Sequence, residues 1–82
     1  MIEIYSLPSC YFCIQSKKIF EEKGVQYKEI MVGSDITREE FFEQFQGIKT
    51  VPQIVIDGTH IGGHEQLLEW MNTNDIRNFL AS

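Results

Sequence analysis

Ile2 and Ile4 alternate with Glu3 and Tyr5, the period of a half-buried strand, and Ser6-Leu7-Pro8-Ser9 breaks that pattern with turn chemistry. From Tyr11 onward the period changes. Phe12, Ile19 and Phe20 fall with Ser16 on one face at helical spacing, Lys17, Lys18, Glu21 and Glu22 mostly occupy the other, and Gly24 supplies a stop. Val25, Tyr27 and the run Ile30-Met31-Val32 predict a second strand ending at Gly33. Thr37 and Glu40 have the spacing of a capping box, so a second helix is predicted there, carrying Phe41, Phe42 and Phe45 inward and ending near Gly47. Pro52 then precedes the β-branched run Ile54-Val55-Ile56, Asp57-Gly58 is a strong hairpin turn, and Thr59 to Gly62 forms the return strand. Past the Gly62-Gly63 pair, Glu65, Leu67, Leu68 and Met71 begin a third helix, and a short final helix carries Ile76, Phe79 and Leu80.

The resulting order, strand, helix, strand, helix, strand, strand, helix, helix, predicts an α/β fold. It suits a four-stranded mixed sheet, a βαβ unit followed by a ββα unit, with helices on both faces and a short extra helix at the C-terminus. A chain of 82 residues is expected to form one domain over residues 1–82, because one this short buries only about 60% of its unfolded surface. With 43% hydrophobic and 23% charged residues the composition is that of a folded soluble protein, and no apolar run approaches the roughly 20 residues that cross a bilayer. A formal net charge of −5 leaves no electrostatic footing on nucleic acid. The start MIEIYS lacks the basic, then apolar, character of a signal peptide, so a cytoplasmic location is expected.

The two cysteines, Cys10 and Cys13, close too short a loop to staple the chain, so if they pair, they pair for chemistry. Disulfide exchange needs a thiolate to attack and a second thiol to resolve the mixed disulfide, and this spacing at a helix start provides both. Cys10, at the predicted helix cap, faces the free N–H groups of the first turn and is the expected nucleophile; Cys13, one turn in, is the expected resolver. A Cys-x-x-Cys near a βαβ pattern is a thioredoxin-like redox arrangement. Zinc held with His60 and His64 is an alternative, but the spacing is far from that of a zinc finger, and no metal is expected.

Along essentially its whole length the chain resembles the glutaredoxins, which have the thioredoxin fold. The resemblance rests on Cys10-Tyr11-Phe12-Cys13 after the first strand, Thr50-Val51-Pro52 before the third, and Ile61-Gly62-Gly63-His64-Glu65 before the third helix. It implies a glutathione-dependent thiol–disulfide oxidoreductase with no tightly bound cofactor and with glutathione as co-substrate. The implied glutathione site has Thr50, Val51 and a cis Pro52 beside Cys10, Lys49 for the glycine carboxylate, and Gly63, His64 and Glu65 for the γ-glutamyl end. Tyr11 and Phe12, where relatives have Pro and Tyr, are expected to form an apolar rim for substrate. Two further departures are His64 in place of a small residue and the lack of a cation in Ser6-Leu7-Pro8-Ser9.

Implied partners are disulfide-containing and glutathionylated proteins, with ribonucleotide reductase as one acceptor of electrons, and a monomer is the expected state. Two other readings stay open. One is a thioredoxin-like protein recycled by a reductase, which the missing cation favours. The other is a dimer holding a [2Fe–2S] cluster through Cys10 of each chain and two glutathiones, which loss of the motif proline keeps open.

Overall fold

The computed structural model describes residues 1–79; the expectations for the side chain of Phe79 and for Leu80 lie outside the described residues. In chain order the elements are β1 (Ile2–Ser6), α1 (Tyr11–Glu22), β2 (Tyr27–Met31), α2 (Arg38–Gln44), β3 (Gln53–Ile56), β4 (Thr59–Gly62) and α3 (His64–Thr73), followed by a 3₁₀ turn at Ile76–Phe79. The strands form one sheet in the order β2-β1-β3-β4. Strand β1 runs parallel to β2, with Ile4 opposite Glu29, and antiparallel to β3, with Ile4 opposite Ile54. Strand β4 closes the edge as an antiparallel hairpin with β3. The mixed sheet of a βαβ unit and a ββα unit is therefore the one the sequence predicts.

Local chemistry accounts for the boundaries. Thr37 Oγ1 accepts from Glu40 N at 3.0 Å while Glu40 Oε1 accepts from Thr37 N at 2.9 Å, the reciprocal capping box that starts α2. Asp57 and Gly58 have φ of +50° and +80°, as the tight β3–β4 turn requires.

Each face of the sheet has its own apolar cluster. Ile2, Ile4, Ile54 and Ile56 pack with Phe20 of α1 and Leu67 of α3; Tyr5, Ile30, Val32 and Val55 pack on the other side with Phe41 of α2 and with Phe45, which caps its C-terminus. Strand β1 was expected to be half-buried, but it is central and covered on both faces, so Tyr5 and Ser6 are buried too. The inward stripe of α1 is Cys13, Ser16 and Phe20, and Phe12 is instead 55% exposed. Leu68 likewise faces outward from α3, where Leu67 fills the core. The last element is a 3₁₀ turn rather than an α-helix, and it seats Ile76 in the first cluster.

A polar bridge between Lys17 and Glu29 ties α1 to the sheet. The Glu29 carboxylate accepts from Ser6 Oγ at 2.7 Å and from Lys17 Nζ at 2.6 Å. These bonds, that of Lys17 first and that of Ser6 next, hold the Glu29 carboxyl below its ordinary 4.5. A group whose folded value is depressed contributes stability that is fully present above its unfolded value and is lost as pH falls through the folded one. Glu29→Gln is therefore expected to flatten the fall of the thermal midpoint below about pH 4.5. Melting curves of both proteins taken between neutral and acid pH check this, and parallel curves would show that the bridge adds nothing.

Candidate active site

After Ser6 the chain turns through Leu7-Pro8-Ser9, with Ser9 at φ +61°, and delivers Cys10 to the N-cap of α1. Cys10 has extended backbone angles (φ −83°, ψ 114°), and its Sγ accepts from Cys13 N at 3.2 Å. The first turn of α1 contains no acidic residue to offset the positive end of the helix dipole. An N-cap sulfur in that field is stabilised as the thiolate, the attacking form. The structure pairs it with Cys13 in a disulfide, with Cα atoms 5.2 Å apart. Cys10 is half-exposed while Cys13 is only 1% exposed. An incoming disulfide thus meets Cys10 first.

Opposite the cysteines, the Val51–Pro52 peptide is cis, and Cys10 Sγ lies 3.8 Å from the Val51 carbonyl oxygen. Beside it opens a groove of about 250 Å³ that brings together Phe12, Thr50, Val51, Pro52, Gly63, His64 and Glu65 from the sequence-derived set, and adds Gln53 and Gln66. The Gly63 N–H is capped by Gln66 Oε1 at 2.9 Å, so the first N–H groups of α3 without an intrahelical acceptor are those of His64 and Glu65. Tyr11, 65% exposed, meets Phe12 edge-on at 5.2 Å, an exposed aromatic pair next to Cys10.

His64 is held in place from two sides. Its Nδ1 lies 2.8 Å from Ser16 Oγ, and its ring stacks on Phe12 at 5.7 Å. Sequence periodicity places Ser16 inside, and a fully buried hydroxyl demands a partner; only the fold shows that the partner is His64. The other histidine, His60, is spoken for by Gln53 Oε1 at 2.7 Å from its Nε2. No cluster of three or more His, Cys, Asp or Glu suited to a metal ion exists among the described residues, so the zinc set is not assembled.

Lys49 does not line this groove. It lies in an adjoining notch of about 120 Å³ with Arg38, Leu7, Phe41 and Phe42, and Val51 forms the wall common to both. Arg38 escaped the sequence reading. The available signal was its place at the first position of α2, where the helix dipole disfavours a cation.

The geometry performs one chemistry directly. In its reduced form the pair can work in sequence: a Cys10 thiolate can displace a thiolate from a substrate disulfide, giving a mixed disulfide, and a deprotonated Cys13 can then attack Cys10 Sγ and release the second substrate thiolate. The substrate gains two electrons, and the cysteine pair loses two as its disulfide forms.

Comparison with known proteins places the chain in a family. The family model described as Glutaredoxin matches residues 2–61. Glutaredoxin 1 of Rickettsia felis is 48% identical over 71 residues, covering 83% of this chain and 69% of that protein. Glutaredoxin 3 of Escherichia coli K12 is 36% identical over 66 residues, 80% of each chain. Among solved structures, a buckwheat glutaredoxin–glutathione complex superposes with a TM-score of 0.78 at 26% identity, covering 98% of this chain and 81% of that one. With its reactive pair at a helix cap and a matching family model over most of its length, the chain belongs to the glutaredoxin family and is a thiol–disulfide oxidoreductase.

Proposed function

We propose that this glutaredoxin takes its electrons from glutathione and reduces glutathione mixed disulfides and protein disulfides, those of ribonucleotide reductase among them. The observation that carries the reading is the run of features on either side of Val51. The half-exposed Cys10 stands at its carbonyl; the groove ending at the start of α3 lies on one side, and the notch holding Arg38 and Lys49 on the other. A tripeptide with its thiol in the middle and a carboxylate at each end suits that layout. Its cysteinyl backbone pairs with the Val51 edge, its glycine carboxylate faces the two cations, and its γ-glutamyl carboxylate faces the N–H groups of His64 and Glu65. Glu65 carries the charge to meet the ammonium. The related buckwheat protein crystallised as a glutathione complex.

In this reading Arg38 replaces the cation that Ser6-Leu7-Pro8-Ser9 lacks. Residues 1–82 act as one domain and as a cytoplasmic monomer.

The test is turnover of a glutathione mixed disulfide with glutathione and glutathione reductase as the sole electron source. The wild type is expected to turn over with saturation. Arg38→Ala is expected to raise KM about fivefold with kcat unchanged, the effect of losing about 1 kcal/mol of ground-state binding. A wild type that is inactive here but reduces protein disulfides when given thioredoxin reductase would replace glutathione with a reductase as its donor.

A further inference from the structure

At the wall of the groove formed by Thr50 and Gln53, a chain of hydrogen bonds runs from the exposed His60 to the Thr50 backbone. Gln53, the first residue of β3, is 5% exposed. Its Nε2 donates to the Thr50 carbonyl oxygen at 3.0 Å and reaches Thr50 Oγ1 at 3.3 Å, and its Oε1 faces His60 Nε2 at 2.7 Å. The two bonds to Thr50 fix which way the amide points, because only its nitrogen can donate to a carbonyl. Oε1 is therefore the atom that meets His60, and, being an acceptor only, it requires the proton to sit on His60 Nε2. The imidazole ring is in turn braced against Phe45, with ring centroids 4.7 Å apart.

We propose that His60 and Gln53 are positioning residues, a relay from β4 to the Thr50–Val51 segment that holds the substrate-pairing edge in register with Cys10. Neither touches the reacting sulfurs. Gln53 restrains Thr50, and His60 restrains Gln53 by satisfying an oxygen that is otherwise buried without a partner. If that donor is lost, the amide gains by turning its oxygen elsewhere, and a turned amide no longer donates to Thr50. The edge beside Val51 then loses the bonds that hold Thr50, while the cysteines keep their place at the start of α1. The consequence for catalysis rests on the glutathione reading above; the consequence for the loop does not.

His60→Phe keeps a ring for Phe45 and removes the donor, whereas His60→Gln places an amide nitrogen near the position of Nε2. Two measurements separate the claims. Backbone ¹⁵N order parameters at Thr50 and Val51 are expected to fall in His60→Phe and to return to the wild-type value in His60→Gln. In the glutathione assay His60→Phe is expected to raise KM about three- to tenfold, the range for one lost hydrogen bond, with kcat and the reduction potential of the cysteine pair unchanged; His60→Gln restores KM. Unchanged order parameters in His60→Phe overturn the relay, as does an equal change in His60→Gln. A loosened loop in a protein that never saturates with the glutathione mixed disulfide upholds the relay and overturns the glutathione reading.

Discussion

Cys10→Ser is expected to lower exchange with every disulfide substrate by at least about a thousandfold, because a serine hydroxyl is un-ionised where the cysteine supplies a thiolate. The substitution leaves the fold intact. Serine is a favoured N-cap residue and its Oγ can take over the bond from Cys13 N, so the start of α1 is preserved while its chemistry is removed. Cys13→Ser is expected to behave differently. Cys13 is 1% exposed and reaches a substrate only through the sulfur of Cys10, so without it the first exchange still proceeds. Turnover of glutathione mixed disulfides continues with glutathione as the second thiol, while mixed disulfides with protein substrates accumulate. Assaying the three proteins with a glutathione mixed disulfide and a protein disulfide, followed by mass spectrometry of the trapped species, checks both statements. Trapping that persists in Cys10→Ser would reverse the two roles.

The placement of the cysteine pair at a helix start was legible in the sequence because it depends on local features: a strand that ends, a turn, a helix that starts, and cysteines separated by a single turn. The same holds for the Thr37–Glu40 capping box and the Asp57-Gly58 hairpin, each set by a few neighbouring residues. What escaped depends on the packing of distant elements. Arg38 and Lys49 are eleven residues apart in sequence and meet only because the loop after α2 folds back beside Leu7. Ser16 gave notice of needing a partner, but His64 lies 48 residues away on another helix. Gln53 reads as the polar start of a strand, and nothing local says that its amide bridges His60 to Thr50. Burial of β1 on both faces follows from its central place in the sheet, which an alternating pattern read as one-sided does not show.

Phe12 and Phe20 test the difference between periodicity and packing, since both belong to the apolar stripe of α1 by spacing. Phe20 is fully buried, lies in the cluster with Ile2, Ile4, Ile54, Ile56 and Leu67, and its ring sits 5.2 Å from that of Tyr27. Phe20→Ala is expected to cost about 3–5 kcal/mol, the transfer and cavity cost of a buried phenylalanine. At roughly 0.05–0.15 kcal/mol per residue, a chain of 82 residues has about 4–12 kcal/mol in total, so this one substitution removes much of the margin. The effect extends to function, because the helix it unseats carries both cysteines. Phe12, 55% exposed, gives up little on folding, and Phe12→Ala is expected to stay within about 0.5 kcal/mol of wild type. Its loss falls instead on the groove, where its ring stacks on His64. Urea unfolding of the two variants, read as midpoint and slope, decides the matter. Equal destabilisation would mean that Phe12 is part of the core after all, and a Phe20→Ala midpoint near that of wild type would mean that the space beneath α1 collapses to fill the gap.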